Sequence, residues 1–126
     1  MRAFKTKWFV RFARRERISD AVLRQAVREV QDGRIDAVLG GGVIKQRLAR
    51  QGGGKSGGFR VLLAYRRNAL AVFLYGFAKS ERGNIDDDEL ETLRDIARKW
   101  FEANDGQLAR AVQAGELEEV EIGDGY

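Results

Sequence analysis

An α+β fold is predicted by three observations. Residues 43–50, 59–67 and 70–79 read as three consecutive strands, the first two with a period of two. Two stretches with apolar residues at three- and four-residue steps bracket them. Short Gly/Asn/Asp-rich breaks separate all five segments. The predicted order is β-α-β-β-β-α plus a tail: a mostly antiparallel sheet with helices packed on one face and basic residues on the other.

Each element has a local warrant. Phe4, Trp8 and Phe9 among Lys and Arg make Arg2 to Phe12 an extended first strand, followed by a turn through Ala13 to Arg17. Ser19 is an N-cap residue, and Val22, Leu23, Ala26, Val27 and Val30 form one helical face that ends at Gly33. Gly40-Gly41-Gly42 then breaks the chain. In Val43 to Arg50, Ile44 and Leu48 point one way while Lys45 and Arg47 point the other. A glycine-rich loop over 51–58 leads into Phe59 to Arg67, then an Arg67-Asn68 turn, then the strongly apolar Leu70 to Lys79. Asp86 to Asp88 sit where a helix macrodipole favours carboxylates, ahead of the stripe Leu90, Leu93, Ala97, Trp100 and Phe101. A short helix over 108–112 follows Asn104 to Gly106. The tail from Gly115 holds five acids and no base; it is either disordered or a strand or helix docked on something basic, the basic groove included. Residues 1–106 are therefore expected to form one domain, with 107–126 as an acidic C-terminal extension.

Composition narrows the chemistry. With 126 residues and 44% apolar content, the chain supports one modest core. It has no cysteine and no histidine, which rules out thiolate chemistry, Ser-His-Asp and Cys-His nucleophiles and His-ligated metal. Proton transfer must use Lys, Arg, Tyr, Asp or Glu, and no cofactor is expected. Met1 to Val10 is too polar and short for a secretory signal, and the apolar run 69–78 is too short to span a bilayer. A soluble, cytoplasmic protein with no membrane partner is expected. Net charge is split: residues 1–67 carry 17 Lys/Arg against 5 Asp/Glu, and residues 68–126 carry 6 against 14. The first half attracts polyanions, nucleic acid first among them.

The densest signal is Lys45, Arg47, Arg50, Lys55 and Arg60 around the glycine loop. Gly54-Lys55-Ser56 resembles the end of a P-loop, but the first glycine of that motif falls on Ala49, and a strand rather than a helix follows. Parity shifts attention to the sheet. Phe73, Tyr75, Phe77 and Lys79 alternate onto one face, and Lys45, Arg47, Arg60, Tyr75 and Lys79 could gather into a concave basic patch. Two readings of Tyr75 and Phe77 stand, as rings of that patch or as core.

The blocks Arg47-Leu-Ala-Arg50-Gln-Gly-Gly-Gly-Lys55-Ser-Gly-Gly-Phe-Arg60 and Tyr75-Gly-Phe-Ala-Lys79-Ser-Glu81-Arg-Gly-Asn84-Ile85 resemble the HigB-type branch of the RelE/ParE toxin superfamily over residues 1–103. The resemblance implies a small RelE-like domain in a bacterial type II toxin–antitoxin system. It implies a metal-independent endoribonuclease (an mRNA interferase) that cuts mRNA in the ribosomal A site and so inhibits translation. Its partner would be a helix-turn-helix antitoxin. By resemblance Arg60 stabilises the scissile phosphate and Lys79 lies at a catalytic cation position, with Lys55 and Tyr75 as further catalytic candidates. Lys45, Arg47, Arg50 and Lys55 would bind RNA. A lysine base would need a pKa lowered by its neighbours. RelE toxins place a catalytic tyrosine after the last strand's cation; here none occurs between Lys79 and Tyr126, so base and acid stay open. The alternative is a ParE-like or non-catalytic module that acts on another target or only binds antitoxin or RNA.

Overall fold

A computed structural model describes residues 1–49 and 58–123. Arg50 and Lys55 lie outside the described residues. The elements are β1 (Arg2–Thr6), α1 (Lys7–Glu16), α2 (Asp20–Gln31), β2 (Ala37–Gly40), β3 (Val43–Leu48), β4 (Phe59–Arg66), β5 (Leu70–Ala78), α3 (Asp87–Glu102), α4 (Asp105–Gln113) and β6 (Leu117–Val120). One six-stranded sheet runs in the order β2-β3-β4-β5-β1-β6. Among the described strands only β1 with β5 is parallel; the other pairs are antiparallel. The fold is α+β, as the alternation predicts.

The first strand is shorter than expected. It stops at Thr6, whose hydroxyl accepts from the Phe9 N–H at 3.2 Å and caps a helix. Phe9, Phe12 and Ala13 are then the buried stripe of α1, not strand residues. Arg17 closes that helix in the left-handed region at φ 58°, where a turn was predicted. The hairpin strand β2 was not foreseen. Gly40, Gly41 and Gly42 form its turn with φ of 84°, 64° and 79°, which suits residues without a Cβ. Buried Gln46 fixes the approach to β2: its side chain accepts from the Asp36 N–H at 2.8 Å and donates to the Arg34 carbonyl at 3.0 Å.

The helices divide between the two faces, which corrects the expectation of helices on one face. Phe9, Phe12, Leu23, Val27 and Val30 of α1 and α2 pack with Ile44, Val61, Leu63 and Phe73. Leu93, Ala97, Trp100, Leu108 and Ala111 of α3 and α4 pack with Phe4, Val43, Leu62, Val72 and Leu74. A sheet with two apolar faces needs two covers. This explains why β4 and β5 are buried almost throughout.

Beyond Phe73, β5 has no further β1 partner, and α1 lies over it instead. Phe12 sits above Gly76, where an added Cβ would meet the ring at 2.5 Å. We expect Gly76→Ala to lower stability by about 1–3 kcal/mol through overpacking, read as a shift in the urea midpoint. The smaller ring site in Gly76→Ala/Phe12→Leu should restore most of it. An unchanged midpoint in the single variant would contradict the contact.

The acidic tail is a strand. β6 pairs with β1 at the sheet edge remote from β3, so residues 117–120 do not fold over the basic groove beside β3, as one expectation had it. What it docks on is basic: Glu119 takes a two-pronged bond from Arg2 at 3.0 and 3.1 Å, and Glu118 meets Lys5 at 2.6 Å. Lys5 also donates to Asp20 at 2.8 Å. Burial pulls the Lys5 pKa down, but hydrogen bonds to Asp20 and Glu118 outweigh it, and the ammonium titrates above the ordinary lysine value.

Candidate nucleic-acid interface

Strand register builds the site. Across β3, β4 and β5, one row is Lys45, Leu62 and Tyr75, and the next is Arg47, Arg60 and Phe77. Paired residues share a face, so Lys45, Arg47, Arg60, Tyr75 and Phe77 lie together, on the side that also carries α3. The basic residues thus share a face with helices rather than opposing them. Lys79 is exposed at the next alternate position, its N–H donating to the Gly58 carbonyl at 3.0 Å.

A bulge makes this possible. Leu62 pairs with Tyr75, but Leu63 pairs with Phe73, leaving Leu74 as an extra residue in β5. Without it, Tyr75 would oppose Val61 and face α1. The bulge re-aims the tyrosine toward Arg60. It also separates Phe73, which packs with the α1 and α2 cluster, from Tyr75 and Phe77. Simple alternation had placed all three together.

The cations differ in setting. Arg60 is 6% exposed and donates to the Phe59 carbonyl at 3.4 Å. Arg47 is exposed and ion-paired to Asp36 at 2.9 Å. Lys45 is half-buried. Phe77 is buried in the α3 cluster and is core; Tyr75 is only partly buried and borders it.

Three neighbours of these residues were not singled out by the sequence pattern. Arg82 lies over the Phe77 ring at 5.5 Å and approaches the Tyr75 hydroxyl at 3.5 Å. Glu89 grips it through two bonds at 3.0 and 2.6 Å and also caps α3 by accepting from the Asp86 N–H. Trp8 stacks on Phe12 and contacts Tyr75, with ring centroids 5.3 and 4.5 Å away. The capping box Asp86-x-x-Glu89 was readable in the chain; Arg82 and Trp8 gave no local sign.

The Glu89 hydrogen bond raises the Arg82 pKa. In return, Arg82 first and the Asp86 N–H second hold Glu89 at about 2, below its ordinary 4.5. A depressed carboxyl pKa stabilises the fold above the unfolded value and loses that effect as pH falls through the folded one. The stability gap between wild type and Glu89→Gln should therefore be full above pH 4.5 and close toward pH 2. Glutamine still fits the capping box, so the variant isolates the charge. A gap independent of pH would remove the Arg82–Glu89 pairing from the account. Denaturant titrations across that range provide the measurement.

Among the described residues, no group of His, Cys, Asp or Glu is arranged to hold a metal ion, and no helix is long and apolar enough to cross a membrane. Fold and site together define a small α+β domain with cations and a tyrosine on one sheet face. Residues 1–120 match the family described as RelE toxin of the RelE/RelB toxin–antitoxin system. The chain belongs to that family, and so is the toxin half of such a system with an antitoxin as partner. No curated protein and no solved structure matches it.

Proposed function

We propose that this toxin is a ribosome-dependent mRNA endoribonuclease of the HigB-type branch, inhibiting translation in the cytoplasm. The observation that carries this reading is the pair of registered rows, which bring Lys45, Arg47 and Arg60 beside Tyr75. The reaction is attack of a ribose 2′-OH on the adjacent phosphate. The 2′-O–P bond forms, the P–O5′ bond breaks, a base takes the 2′ proton and an acid protonates the departing 5′ oxygen.

Arg60 stabilises the charge that builds on the phosphorane. Its position on the sheet floor, largely out of water, strengthens its field there. Lys79 and the Tyr75 hydroxyl, oriented by Arg82, carry the proton transfers. Lys45, Arg47, Arg50 and Lys55 hold the RNA backbone, with Lys55 adding charge at the reacting phosphate. A helix-turn-helix protein serves as the antitoxin.

The test is induced expression followed by primer-extension mapping of a message with and without a functional start codon. Cleavage confined to the translated message supports the proposal. Equal cleavage of both would remove the ribosome dependence, and growth arrest without any cleavage would favour a target other than RNA.

A further inference from the structure

A second feature adjoins the cationic face and shares only Tyr75 with the roles above. Between the start of α1 and the middle of α3 lies a cleft of about 450 Å³. Its walls are Trp8, Tyr75 and Trp100, with Leu74, Leu93 and Ile96 completing the lining. Both tryptophans of the chain are in this one cleft. Lys7, Lys99 and the carboxylate of Glu116 also contribute to the lining. Lys99 lies over the Trp100 ring at 4.6 Å and pairs with Glu116 at 3.3 Å.

We propose that this cleft is a nucleobase subsite, taking one unstacked base of a single-stranded RNA whose backbone lies on the rows of Arg60 and Lys45. The inference rests on the RNA-facing reading of that sheet face and adds to it. Three points carry it. Aromatic walls combined with flanking ammonium groups match a flat base joined to phosphates better than they match an aliphatic peptide side chain. Tyr75 belongs to both places: it lines the cleft and stands in the Lys45 row. The Arg60 and Lys45 rows are two residues apart along the strand, about 7 Å, a step suited to neighbouring nucleotides. The cleft is also built in advance, because Phe12 holds the Trp8 indole from α1 and limits the ordering cost of binding.

The test uses the full chain and two 2′-O-methylated hexanucleotides of equal charge, one with bases and one abasic. The methyl groups prevent cleavage, and emission from Trp8 and Trp100 reports occupancy. The base-bearing strand should quench this emission saturably and bind about tenfold more tightly than the abasic strand. Ile96→Phe, which fills the cleft without adding an indole, should reduce that preference to near one, and Trp8→Phe should weaken it while leaving a folded protein by near-UV dichroism. If both strands bind equally and the emission is unmoved, the subsite is wrong while the cationic face stands. If neither strand binds, the RNA-facing reading fails with it. If base-specific quenching persists unchanged in Ile96→Phe, the base sits elsewhere and the assignment is overturned.

Discussion

Arg60→Ala should lower cleavage of translated messages by two to three orders of magnitude and abolish growth arrest on induction. The size follows from what one preorganised donor to a developing oxyanion contributes, about 10²–10³ in rate. The same residue is 6% exposed, so the variant also changes the sheet floor, and stability must be followed alongside activity. Arg60→Lys separates the two effects. It keeps a cation on a long apolar stem but loses the planar fork that meets two phosphate oxygens at once. An intermediate rate for Lys, with both variants folded and still captured by the antitoxin, assigns the loss to the phosphate contact. Full toxicity in folded Arg60→Ala would end the catalytic role proposed for this residue.

Removing residues 115–126 should prevent stable folding rather than expose an RNA groove. The lost segment contains Leu117, Val120 and Ile122, exposed by 2%, 1% and 8%. Burial of three such side chains contributes roughly 5–9 kcal/mol, which is comparable to the whole stability of a domain this size. The deletion also takes Glu118 from the nearly buried Lys5 and leaves Asp20 as its remaining acid among those described. The truncated chain should give no cooperative melting transition. Leu117→Ala provides a graded version, with an expected loss of about 2–5 kcal/mol. A truncated chain that melts like wild type and binds RNA more tightly would restore the idea of a shielding tail.

Much of the architecture was legible where one local rule acts alone. α2 shows its cap at Ser19 and its stripe at Leu23, Ala26, Val27 and Val30, buried as predicted, while Val22 of the same predicted stripe is exposed. β3 and β4 alternate as parity requires, and their register brings Lys45, Arg47 and Arg60 to one side. Misreadings arose where two rules compete. Phe4, Trp8, Phe9 and Phe12 fit an aromatic strand as well as a strand followed by a helix, and only the Thr6 cap decides between them. β2 is four residues long, too short for its period to register. The extra residue at Leu74 lies within an unbroken apolar run, where nothing marks a bulge. Arg82 and Trp8 acquire their places beside the site through contacts with Tyr75 and Phe77, which no single segment contains.

The pairing of β1 with β6 has a consequence for the order of events during synthesis. Ala3 lies opposite Val120, so β1 and β6 meet only after all the residues between them have been made. The hairpins of β2 to β5 join near neighbours and can form while the remainder is still being made. Among the described pairings the β1–β6 edge closes the longest loop, and it has to wait until residues 117–120 clear the exit tunnel. A toxin assembled in this order completes its sheet at the β6 edge, after the β2 to β5 hairpins are in place.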